Sequence, residues 1–239
     1  MKRNNLLDAI RGVAIINMVL FHFLYSATYI FNLNMGFDID KATLWQRFIS
    51  MTFIIVSGIC SDLTKDKNLV KNGIKLVIIG EIITLITYIF IREETIRFGI
   101  LSLLGTSMII MYLIRDRIKY NKTLLIIILL IYFITFNIPN GYIKIIKPLY
   151  LSKNIYEYNI YMLGLPSKTF YSSDYFPLIP HFFLYLFGNL LSKLFKKHDL
   201  YRINIKNNFL SKIGKRSLLI YLLHQVVILI LLNIYTTLT

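Results

Sequence analysis

The chain has 239 residues, 56% hydrophobic and 16% charged, with a mean hydropathy of +0.61 and a formal net charge of +15. So little polar surface cannot clothe a water-soluble domain of this length. The cations are confined to certain loops, which is the pattern of membrane topology and argues against a nucleic-acid partner.

Several windows reach about the 20 residues that a helix needs to cross hydrocarbon. The fold class is therefore all-α, a polytopic transmembrane bundle in a cell membrane. No Pro/Gly/Ser-rich linker divides it, so residues 1–239 read as a single domain. Seven spans are predicted, near 7–31, 45–61, 73–91, 98–114, 123–138, 175–195 and 216–236; the second and fifth are short enough for a tilted or re-entrant path. The first span lacks a small-residue cleavage site and is expected to remain in the protein. The lone cysteine, Cys60, lies in the second span and reads as a small buried hydrophobe. The Ile-, Lys- and Asn-rich usage fits an AT-rich bacterial genome.

Loop charge sets the orientation. Lys2 and Arg3, the cations from Lys65 to Lys75, those from Arg115 to Lys122 and those from Lys193 to Arg216 place 18 basic residues on one side, against eight on the other. The positive-inside rule puts the richer side and the N-terminus in the cytoplasm, and the tail Thr236–Thr239 outside. This alternation holds only for an odd number of spans. The long outer loop 139–173 carries Tyr142, Tyr150, Tyr156, Tyr158, Tyr161 and Tyr171. It reads either as an interfacial aromatic segment or as a lid over an acceptor site.

Polar residues inside the spans carry the functional signal. Arg11 and His22 are separated by ten residues in an apolar run. Eleven helical steps of about 100° end roughly 20° from their start, so both side chains share a face about 16 Å apart along the axis. Asp8 sits on nearly the same face and is placed to hold the Arg11 fork, which suits phosphate. His22 is suited to take a proton from a hydroxyl or amine. The simpler readings are snorkelling for Arg11 and an interhelical hydrogen bond for His22. Asp174 and His181, seven apart near the start of the sixth span, also suggest one helical face, with N-capping and ring packing as the simpler roles. His224 lies about 12 Å in from Arg216. Glu81 reads as an acid deep in the third span, a partner for Arg11 or a histidine, or a protonated structural group. Arg97 at the outer end of the fourth span is placed to meet a polar substrate or headgroups. No phosphate loop or His-Glu-x-x-His run occurs, and nothing in the spacing of the four histidines argues for a metal, so none is expected.

The stretch Leu7-Asp8-Ala9-Ile10-Arg11-Gly12 followed by Phe21-His22 resembles the first helix of the heparan-alpha-glucosaminide N-acetyltransferase catalytic-domain family, related to the acyltransferase-3 proteins. Phe98-Gly99-Ile100-Leu101, then Leu163-Gly164-Leu165-Pro166 with Ser173-Asp174-Tyr175-Phe176-Pro177, then Gly214–Gln225, match it in order. His181 stands where that pattern carries Trp, and Val226 where it usually carries Pro. The resemblance implies transfer of an acyl group, often acetyl, from cytosolic acyl-CoA to a hydroxyl or amine of an extracytoplasmic sugar or glycan. It implies His22 as general base or acyl relay, with Asp174 and His224 beside it as catalytic candidates. Arg11, held by Asp8, would contact the donor. His181, Arg97 and Glu81 are the candidates for substrate binding. Many relatives have more spans, which leaves room for a homodimer or a partner subunit. The competing readings are a proton-coupled transporter or flippase-like protein and a structural subunit of another enzyme.

Overall fold

The computed structural model describes residues 4–119, 121–203 and 205–238, with all side chains among these except that of Arg202. Lys2, Arg3 and Thr239 therefore lie outside the described residues. Nine α-helices are found there: α1 Asn5–Tyr25, α2 Ile39–Leu63, α3 Asp66–Phe90, α4 Ile100–Ile114, α5 Lys122–Thr135, α6 Asn154–Glu157, α7 Leu178–Lys197, α8 Phe209–Lys215 and α9 Ser217–Leu238. A π-helical segment, Ser26–Ile30, continues α1. Two short strands, β1 Tyr142–Lys144 and β2 Pro148–Tyr150, form an antiparallel hairpin. Six helical stretches are long and apolar enough to cross a membrane. The second span is not short: α2 has 25 residues, because it starts through the polar Asp40–Lys41 turn that hydropathy alone discards. The short helix is instead α4, with 15 residues.

The chain clusters into two compact units, residues 1–56 with 199–239, and residues 57–198. In the first, Asn4 caps α1 by accepting from the N–H groups of Leu6 and Leu7. A Cβ at Gly12 would run into the Leu210 carbonyl, and one at Gly214 into the Asp8 carbonyl. The pairs 8–214 and 12–210 run in opposite senses, so α1 and α8 are antiparallel and meet backbone to backbone. The seven-residue α8 is held by a capping box, in which Asn208 and Ser211 each accept from the other's backbone N–H. The one tryptophan, Trp45, donates Nε1–H to Asn17 at 3.0 Å, tying α2 to α1.

The pairing of α1 with α9 ascends in residue number along both helices. His22 lies beside His224, Ser26 bonds Gln225, and Ala27 shares a core cluster with Ile228 and Leu232. The two helices are therefore parallel. Two parallel spans need an odd number of crossings between them. The intervening helices α2, α3, α4, α5 and α7 supply five only if α4 counts.

The second unit shows how α4 does so. Helices α3 and α4 form an antiparallel pair. Arg115 bridges Asp66 at 2.6 Å, Gly73 faces Gly105, and Gly80 faces Ser102. At about 22 Å, α4 is shorter than the ~30 Å hydrocarbon layer. Its path is prolonged by the non-helical run Thr95–Phe98, whose Ile96 N–H reaches Thr87 Oγ1 on α3 at 3.1 Å. Elsewhere in this unit, Gly58 meets the Tyr185 carbonyl and joins α2 to α7. At the lysine-rich end, Asp62 accepts from Ser192 and Lys196, both at 2.7 Å.

The sixth span starts later than the sequence pattern suggests. Pro177 and Ile179 keep extended backbone, with ψ of 156 and 120, so regular helix begins only at Pro180. Asp174 lies outside it and shares no helical face with His181.

Replacing Gly12 or Gly214 by Leu is expected to lower stability by about 1–3 kcal/mol or more by overpacking, seen as a lower midpoint of thermal unfolding in detergent. An unchanged midpoint would show that α1 and α8 do not cross at these glycines.

Candidate active site

In the first unit, two groups of polar side chains lie along α1. Near its N-terminus, buried Asp8 pairs with Arg11 at 3.3 Å, with side-chain exposures of 3% and 24%. The spacing of three residues brings acid and guanidinium together on one helical face, as the sequence suggests. The carboxylate engages one arm of the planar fork and leaves donors for another anion.

Three turns further along, His22 and His224 meet edge to face, with ring centroids 4.8 Å apart. The His224 Nδ1 stands 2.6 Å from the Tyr221 carbonyl. A carbonyl only accepts, so Nδ1 carries the proton, and in the neutral ring Nε2 presents a lone pair. That Nε2 is buried with no hydrogen-bond partner among the described residues, and so is Oε1 of Gln225 beside it. The Gln225 amide donates its other end to buried Ser26 at 3.1 Å. Ser26 opens the π-helical segment, one turn beyond His22. Such segments recur where a helix is re-aimed at a functional site. The arrangement offers two orphaned acceptors and a second imidazole. A ligand that donates a hydroxyl or amine hydrogen would satisfy them. His22, His224, Arg11 and Asp8 were legible as polar residues in spans. Ser26 and Gln225 were not singled out, although Ser26 follows His22 by one helical turn.

In the second unit, Arg97 and Asp174 are brought together. Segment 94–98 is stitched to 172–176. Ser173 N–H bonds the Thr95 carbonyl and Phe176 N–H the Phe98 carbonyl, each at 3.1 Å. The Arg97 N–H bonds Ser172 Oγ at 2.8 Å, while that hydroxyl's proton points to the carbonyls of Arg97 and Asp174. This pairing satisfies irregular backbone that helix hydrogen bonds do not. Phe98, buried and at φ 52, makes the left-handed turn into α4. The Asp174 carboxylate lies over Gly99, where an added Cβ would stand 3.3 Å from Oδ2. A negative charge is thus placed at the N-terminus of α4, where the helix dipole favours it. The cap of α7 is Pro177, so Asp174 serves the start of α4 and not that of the sixth span.

His181 commits Nδ1 to the Pro177 carbonyl at 2.9 Å and packs its ring against Phe176 and Tyr132. Glu81 accepts from the buried Ser102 hydroxyl at 3.3 Å, yet it is exposed on α3, not buried among partners. Position in the middle of an apolar run does not say which side of the helix faces protein. Beyond these groups, the Tyr175 hydroxyl donates to the Tyr161 carbonyl, and Phe170 stacks on the Tyr161 ring at 4.8 Å and meets the Tyr175 ring at a tilt, 4.9 Å away.

Removing the Ser172 hydroxyl by Ser172→Ala leaves the Arg97 N–H unpaired and is expected to cost about 1–3 kcal/mol. Thermal unfolding in detergent reads this directly, and a midpoint equal to wild type would remove the strap from the account.

Comparison with protein-family models matches heparan-alpha-glucosaminide N-acetyltransferase, catalytic, over residues 3–226. No curated protein and no solved structure matches significantly. The matched region runs from the approach to α1 to Val226, just past His224 and Gln225, and so contains every group described above. The chain is a multi-pass integral membrane protein that belongs to the heparan-alpha-glucosaminide N-acetyltransferase catalytic-domain family.

Proposed function

We propose that the protein transfers an acetyl group from acetyl-CoA to a hydroxyl or amine, on an extracytoplasmic sugar or glycan. The observation that carries this reading is the pair of orphaned acceptors, His224 Nε2 and Gln225 Oε1, beside His22. A nucleophile's O–H or N–H fits that need. In the reaction, the nucleophile's lone pair forms a bond to the thioester carbonyl carbon and its proton passes to an imidazole. The carbon–sulfur bond breaks, and the CoA thiolate leaves and takes up a proton. Either imidazole is placed to act as base, with the tautomer of His224 set by Tyr221.

The donor is assigned to the Asp8–Arg11 end. Arg11 binds a phosphate of CoA, and Asp8 orients the fork. The 18-to-eight bias of basic residues supports a cytoplasmic position for this end and for the N-terminus. Asp174 remains a catalytic candidate by resemblance, and Arg97 and His181 remain acceptor-side candidates by their positions in the sequence. Exposed Glu81 is left out of the acceptor site.

The test is turnover of labelled acetyl-CoA by the purified full-length protein in liposomes. Release of CoA or transfer of label is expected, and His22→Ala is expected to reduce it by about 10²–10⁴-fold. Absence of acetyl-CoA binding and turnover, with solute flux in the same liposomes, would replace this reading with a transporter. Turnover that His22→Ala leaves intact would remove the imidazole pair from the chemistry.

A further inference from the structure

The hairpin β1–β2 has no role in the chemistry above and stands out for what it exposes. Its base is fixed to the end of a span. The apolar stretch that contains α5 runs to Asn140, and Gly141, at φ 90, turns the chain directly into β1. Tyr142 N–H bonds the Asn137 carbonyl at 3.3 Å, Leu151 N–H bonds the Gly141 carbonyl at 2.9 Å, and the Tyr156 hydroxyl donates to the Ile138 carbonyl. The hairpin is therefore rooted where the α5 span ends.

Beyond this base, no described residue of its own unit buries it. Ile145 and Ile146 at the tip are 68% and 88% exposed, and Leu149 and Tyr150 on β2 are exposed as well. A two-stranded hairpin with an uncovered apolar tip is marginal in water. From Tyr142 to Ile146 the chain spans about 13 Å, enough to cross the roughly 5–7 Å headgroup layer on one side of the hydrocarbon. Lys144, Lys147 and Lys153 flank the apolar tip, and residues 138–156 contain no acid. Apolar tip and cationic flanks together match an interface with anionic phospholipid.

We propose that the Tyr142–Tyr150 hairpin is a lipid-binding finger. Ile145 and Ile146 enter the headgroup–acyl boundary of the leaflet where α5 ends, and Lys144, Lys147 and Lys153 hold anionic phospholipid headgroups. The segment is thereby an anchor and not a lid folded over the protein.

The full-length protein carrying Cys60→Ser and Ile146→Cys, labelled with an environment-sensitive fluorophore, tests this in nanodiscs of phosphatidylcholine with or without phosphatidylglycerol. The expected result is blue-shifted emission that nitroxide lipids labelled near the headgroup quench, and quench more when phosphatidylglycerol is present. Native mass spectrometry of the protein with its own cysteine unchanged gives an independent reading. There, retention of phosphatidylglycerol should fall by about fivefold for each of Lys144→Gln, Lys147→Gln and Lys153→Gln. Emission at the water value in both discs overturns the proposal. So does blue-shifted emission that nitroxide lipids do not quench, which would show a lid docked on protein. Lipid retention unaffected by the lysine variants overturns the headgroup assignment.

Discussion

A polar group inside hydrocarbon has to find its partner within the protein, and the organisation of this chain follows from that constraint. In the first unit it pairs Asp8 with Arg11 and Ser26 with Gln225. In the second it pairs the extended run before α4 with the extended run before α7, so that a helix too short to span is completed by backbone that is nonetheless satisfied. Buried polar atoms of Thr28, Ser107, Tyr185 and Asn189 also lack a match among the described residues, but the unmatched His224 Nε2 and Gln225 Oε1 are the pair beside the His22 ring. Each unmatched acceptor is costly to bury, and a site that binds a hydrogen donor accounts for that cost.

The backbone serves the same end. Close approach at Gly12 and Gly214 lets α8 lie directly on α1, and α9 follows α8 with a single residue, Arg216, between them. The parallel course of α9 beside α1 then sets His224 against His22. The π-helical turn after Tyr25 sets Ser26 against Gln225. On the proposed reading, the donor enters at Arg11 and its thioester reaches the imidazoles about 16 Å further along the same helix face.

The sequence showed more of the spans than of their meeting points. All seven predicted helices exist, because long apolar runs bounded by charge are a strong signal. The Asp8–Arg11 pair was legible because three-residue spacing on a helix fixes proximity. The contact between His22 and His224 was not, since the register between two helices far apart in sequence leaves no mark in the periodicity of either. Helix α8 is too short for a periodic pattern, although Asn208 and Ser211 spell its capping box. The apolar run continues through Pro177 to Ile179, where extended backbone prevails, so hydropathy places the start of α7 too early. The hairpin was hidden for a related reason: both faces of its outer half are exposed, so no alternation marks it.

The central claim is that His22 and His224 act as one unit. A double-mutant cycle on acetyl-CoA turnover measures this most directly, using His22→Ala, His224→Ala and both together. Groups that share one proton-transfer step are non-additive, so the double variant should be no slower than the slower single variant. Losses that multiply, as for two independent sites, would contradict the account.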